Sequence, residues 1–254
     1  NNADIEKLKS FLHKTNKSAY EKIAASLFVY NLSDLYEFQA VKATHENKID
    51  EAIDLMQHAS IGGQTKLLAN PFNGYIKDCH DCEHNSFKGT ALTKLAFLQK
   101  IKDMQAKISA GTDVYDNALL LANGFYNISH YGNARKFTES SIVSVAFSPA
   151  YLEANYKPML TNMDNAKQYY QMALNAAIND EQRAKCTYML AKCERNEWYN
   201  KHIYFNANYE QYDFGYDGKL KISDMKLLKD LKLKYAHTKY YKEVIRECGY
   251  ISKR

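Results

Sequence analysis

Residues 36–59 read Tyr36-Glu37-Phe38-Gln39-Ala40-Val41-Lys42-Ala43, then Thr44-His45-Glu46-Asn47-Lys48, then Ile49-Asp50-Glu51-Ala52-Ile53-Asp54-Leu55-Met56-Gln57-His58-Ala59. Tyr36, Ala40 and Ala43 share one face of a helix, as do Ala52, Met56 and Ala59. The polar break at 46–48 separates two helical runs. Small residues on facing stripes let two helices approach closely, and bulky ones fill the gaps between layers. The stretch therefore predicts a helical hairpin.

The same spacing returns along the chain. Ala118, Ala122 and Phe125 precede a turn at Ser129-His130-Tyr131-Gly132-Asn133, after which Ala134 is expected to open the returning helix. Ala166, Tyr170 and Ala173 repeat the interval of Ala52, Met56 and Ala59, and Ala184, Tyr188 and Ala191 repeat it again. A last pair runs from Leu227 to Tyr235 and from Thr238, a helix cap, to Cys248. Earlier, Ser18 and Ser33 read as helix starts. Punctuation and period together predict about ten helices. Residues 1–254 are expected to form a single all-α, right-handed helical-hairpin array, interrupted by irregular insertions at 61–89 and 200–218.

Composition agrees with a helical protein. Only 10 Gly and 3 Pro occur, few for the many turns of a sandwich or barrel. The apolar share of 46% and charged share of 25% are those of an ordinary folded chain. Lys and Arg total 34 against 29 Asp and Glu, a net charge of +5 spread along the sequence. The lysines at 219–234 alternate with Asp224 and Asp230, as on a solvated helix face, and no nucleic-acid partner is expected. No run of about 18 apolar residues is long enough for a membrane span. Tyr is abundant, 21 residues against 11 Phe and a single Trp. Tyr rings pack between thin layers while their hydroxyls seek polar partners, so Tyr36, Tyr126, Tyr170 and Tyr188 are candidates for groove or interlayer positions.

The insertions hold the residues that could carry chemistry. In the first, Asp78-Cys79-His80-Asp81-Cys82-Glu83-His84 groups thiolate and imidazole donors that zinc prefers. Cys79, Cys82 and His84 would be ligands, with His80 a candidate for the fourth. The second half of a usual zinc module is missing, so a Cys79–Cys82 disulfide, a redox pair and plain packing stay open beside the metal. The second insertion is aromatic, and Tyr209 and Tyr212 are candidates there for partner contact or for capturing a sugar or peptide. Asp213, Asp217, Gly218 and Asp224 fall at positions of a calcium loop, but Gly215 supplies no side-chain ligand. Cys186, Cys193 and Cys248 lie at apolar helix positions and read as small hydrophobes. No Gly-rich phosphate loop, nucleophile elbow or His-Glu-x-x-His helix occurs, and the remaining histidines stand singly near helix ends.

The repeated spacing resembles the tetratricopeptide superfamily over most of the chain. A narrower resemblance rests on Asn70-Pro71-Phe72 with Asp78-Cys79-His80-Asp81-Cys82, on Tyr188-Met189-Leu190-Ala191-Lys192-Cys193-Glu194, and on Tyr240-Tyr241-Lys242-Glu243-Val244-Ile245-Arg246-Glu247-Cys248. These are similar to tetratricopeptide-like proteins of Bacteroidota, many of them exported. The resemblance implies a non-catalytic scaffold in the periplasm or cell envelope, bound to protein partners in a larger complex for secretion, surface export or motility. Attachment to the membrane, as in a lipoprotein, would come only from residues upstream of Asn1.

Overall fold

The computed structural model describes residues 2–75, 92–143, 149, 154, 156–204 and 225–247. The helices are α1 (Asn2–His13), α2 (Ala19–Leu27), α3 (Leu32–His45), α4 (Ile49–His58), α5 (Ser60–Gln64), α6 (Lys94–Ser109), α7 (Val114–Ile128), α8 (Lys157–Thr161), α9 (Asp164–Ala176), α10 (Asp180–Tyr199), α11 (Lys226–Tyr235) and α12 (Lys239–Glu247). The fold is all-helical. Among the described residues the β-type pairing is an isolated bridge, Lys66 opposite Thr93.

Each main helix packs on the next: α3 on α4, α4 on α6, α6 on α7, α7 on α9, α9 on α10 and α10 on α11 and α12, while α1 lies against α3. The positions singled out by spacing form these contacts. Ala40, Ala43, Ala52, Met56, Ala59, Ala118, Ala122, Phe125, Ala166, Tyr170, Ala173, Ala184, Tyr188 and Ala191 are all buried. One apolar cluster runs from Ala40 on α3 to Val244 on α12. Residues close in sequence thus generate a core whose layers are also close in sequence.

Local chemistry sets the helix ends. Ser18 caps α2 through a reciprocal box with Glu21. For α3 the box is Asn31 with Asp34, so the helix begins ahead of the expected Ser33. Asn47, at φ +58°, turns the chain between α3 and α4. Thr238 Oγ1 accepts from Tyr241 N at the start of α12, where the carboxylate of Glu181 on α10 also receives Lys239 N and Tyr240 N. The last helix is thereby fastened to α10. By contrast α2 buries no residue and leaves Tyr20, Ile23 and Leu27 exposed.

Ala134 does not open a helix. Its N–H donates to Asn127 O, and Thr138 Oγ1 donates to Ile128 O, so both satisfy orphan carbonyls at the end of α7. A short 3-10 turn, Arg135–Phe137, follows in its place. At the second insertion, α10 continues past Tyr199 as a π-helical turn, Asn200–Tyr204. Asn200 Nδ2 donates there to Thr161 O at 2.8 Å, and Tyr131 OH donates to Asn200 Oδ1 at 2.6 Å.

A buried ion pair crosses the fold. Lys94 Nζ sits 2.6 Å from Glu37 Oε1, with the two side chains 1% and 9% exposed, and also donates to Glu139 O. Burial lowers the Lys94 pKa despite the attraction of Glu37. The Glu37 carboxylate lies against α5 where a side chain on Gly62 would stand, so only glycine fits. Lys94→Met strands that carboxylate and is expected to cost about 3–5 kcal/mol in urea unfolding. Combining it with Glu37→Leu is expected to recover most of the loss, because the buried charge goes as well.

Candidate functional site

Residues 70–75 form a strap held by side chains of helices distant in sequence. Asn123 and Asn127 are one turn apart on α7 and project from the same face. Asn123 Nδ2 donates to Phe72 O at 2.9 Å, and Asn127 Nδ2 donates to Pro71 O at 2.8 Å and Asn73 O at 2.7 Å. From α10, Lys192 Nζ donates to Tyr75 O at 2.9 Å. The strap is gripped by its main-chain carbonyls, which makes the grip indifferent to most of its side chains. Phe72 is the exception. Its ring lies 5.2 Å from that of Phe97, and its Cε1 would be 3.2 Å from a Cβ on Gly124, so the glycine makes room for it.

The donors are themselves oriented. Tyr170 OH on α9 donates to Asn123 Oδ1 at 2.8 Å, leaving the amide nitrogen for the strap. The Lys192 ammonium stands 4.9 Å from the Tyr126 ring centroid and 5.9 Å from that of Tyr188. Cation–π attraction offsets part of the cost of burying this lysine, which is 4% exposed. Asn196 Nδ2 donates to Tyr126 OH at 3.1 Å. The strap continues from a clasped base, where Leu67 N donates to Leu92 O and Lys94 N to Thr65 O.

Tyr126, Tyr170 and Tyr188 are therefore brought together, but as buried interlayer side chains that shape the clamp and not as open groove walls. Tyr36 is half-buried, its ring tilted against that of His58 at 5.1 Å with the Lys9 ammonium 4.3 Å from its centroid, and is apart from the other three. Cys186 and Cys193 on α10 are buried free thiols, each pushed up to about 12 chiefly by burial, which makes them unreactive. Cys79, His80, Cys82 and His84, the proposed zinc ligands, lie outside the described residues, as do Tyr209, Tyr212, the calcium-like loop and Cys248.

His45 holds a structural role that its sequence neighbourhood did not announce. Its Nε2 is 3.0 Å from Thr138 Oγ1, and its carbonyl accepts from Asn165 Nδ2. Burial pushes the imidazole down to about 4. Asp4, Lys42 and Glu46 line the same region.

Two outcomes are expected. Asn127→Ala removes both of its bonds to the strap, and is expected to cost about 2 kcal/mol and to speed amide exchange at Phe72 and Asn73. For His45, the unfolded chain takes up a proton near the ordinary imidazole pKa while the folded chain does not. Stability is thus complete above that pKa and falls as pH drops toward 4, by about 2 kcal/mol between pH 7 and pH 5. Urea unfolding at both pH values should show this loss, and His45→Gln should show less of it.

Comparison of the chain with protein-family models, with curated proteins and with solved structures finds no match.

Proposed function

We propose that this chain is a non-catalytic protein–protein interaction module, a right-handed array of helical hairpins of tetratricopeptide type serving as an accessory subunit of a cell-envelope assembly. The observation that carries the reading is the clamp on α7 and α10. Asn123, Asn127 and Lys192 hold an irregular segment through its backbone carbonyls, with one aromatic side chain seated beside Gly124. Arrays of stacked helix pairs hold partner segments by this kind of side-chain-to-main-chain contact. Here the segment held is the chain's own, and it leads into the Cys79–His84 sequence. The clamp thus fixes the chain at Tyr75, four residues ahead of Cys79 in sequence. The buried small-residue spacing from Ala40 to Ala191 supports the hairpin array. The envelope setting, with roles in secretion, surface export or motility, follows the resemblance to the Bacteroidota proteins.

The test is purification of the tagged chain from gently solubilised envelope fractions, with the amounts of co-purifying proteins quantified. A partner near one-to-one with the chain, weakened by Asn127→Ala under conditions where that variant stays folded, is the expected result. Recovery of the chain alone, from an envelope fraction or from the soluble fraction, would overturn the reading.

A further inference from the structure

Away from the clamp, α1, α3 and α8 surround a cleft of about 740 Å3. That volume lies within the range of about 300–1,000 Å3 found for small-molecule sites. Ile5, Leu8, Leu35, Phe38, Ile142 and Met159 give it mostly apolar walls. Its charged groups are Asp4, Lys42 and Glu46, and Glu46 is paired with Lys48 at 2.6 Å and lies 3.9 Å from Lys42. His45 also lines it.

The hydrogen bonds around His45 determine which ring nitrogen carries the proton. Thr138 has one hydroxyl proton, and it goes to Ile128 O at 2.9 Å. Thr138 Oγ1 must then accept from His45, so Nε2 is the protonated nitrogen and Nδ1 keeps its lone pair. Among the described residues nothing donates to Nδ1. The depressed pKa keeps the ring neutral at physiological pH and Nδ1 an acceptor. The cleft is thus lined by mostly apolar side chains, the Tyr30 and Tyr156 hydroxyls, and a neutral imidazole whose Nδ1 has unused acceptor capacity.

We infer that this cleft binds a small, uncharged, mainly apolar molecule whose single hydroxyl or N–H donates to His45 Nδ1. The walls supply affinity by removing apolar surface from water, and the acceptor selects for the donor. A carboxylate ligand would meet a neutral ring with no proton to offer at Nδ1, and Glu46 beside Lys42. Because the cleft shares no residue with the strap clamp, this inference stands independently of the interaction function.

Three probes of similar shape test it on the intact chain: 2-naphthol, 2-methoxynaphthalene and 2-naphthoate, titrated by fluorescence and calorimetry. Saturable binding of 2-naphthol is expected, about tenfold tighter than the methyl ether, which cannot donate. His45→Phe is expected to abolish that preference while leaving the ether's affinity nearly unchanged. Leu8→Trp, which narrows the cleft from α1 and does not touch His45, is expected to weaken both. Equal affinity for naphthol and its ether, or a preference that survives His45→Phe, would overturn the assignment of Nδ1. Tightest binding of the naphthoate, lost in Lys42→Ala, would overturn the uncharged ligand class. Failure of every probe to saturate would overturn the site.

Discussion

The fold turns on Lys94. As the first residue of α6 it gives its backbone N–H to Thr65 and its ammonium to Glu37 on α3 and the carbonyl of Glu139. One side chain thereby joins the base of the first insertion, the most buried face of α3, and the turn that follows α7. Taking two charges out of water costs several kcal/mol each, so the pair is poor evidence of stability for its own sake. Its geometry does something else. An ammonium placed there accepts only one arrangement of α3, α6 and the 135–139 turn, and the apolar layers on either side would slide more freely without it. Glu37 is in turn wedged against Gly62, which fixes α5 as well.

The clamp uses the same economy with neutral groups. Asn123 and Asn127 could have lain on a solvated face, yet both point at backbone carbonyls of a segment some fifty residues earlier. Tyr170 sets the orientation of one amide and the Tyr126 and Tyr188 rings support the ammonium of Lys192. Three helices packed one on the next, α7, α9 and α10, therefore contribute to a single grip. Any relative shift of those layers would be felt at the strap.

What the sequence made legible was local. Ala52, Met56 and Ala59 announce a packed helix face because the period of the helix is itself local, and the repeats of that interval are buried except at the half-buried Tyr36. The cap at Ser18 was legible for the same reason. The helix expected at Ala134 was not formed, since its N–H is claimed by Asn127, a contact the linear pattern does not display. Asn123 and Asn127 carry no signal of their own: asparagine on a helix reads as surface until its acceptor is known. His45 likewise looked like a residue at a helix end, and its partner Thr138 is distant in sequence. The Tyr residues were legible as packing or recognition candidates, but only three-dimensional neighbours distinguish a ring that lines a groove from one that props up a lysine.

The bridge between Lys66 and Thr93 has a consequence for how this chain can change over time. The excursion between Leu67 and Leu92 begins and ends at a clasp, Leu67 N to Leu92 O at 2.7 Å beside Lys94 N to Thr65 O, and the frame grips its first part again at the strap. Closing a longer loop costs little, about 0.6 kcal/mol for each doubling of length. Loop closure by itself therefore sets only a weak limit on how many residues lie between those ends, and insertions or deletions there leave the two ends the same place to meet.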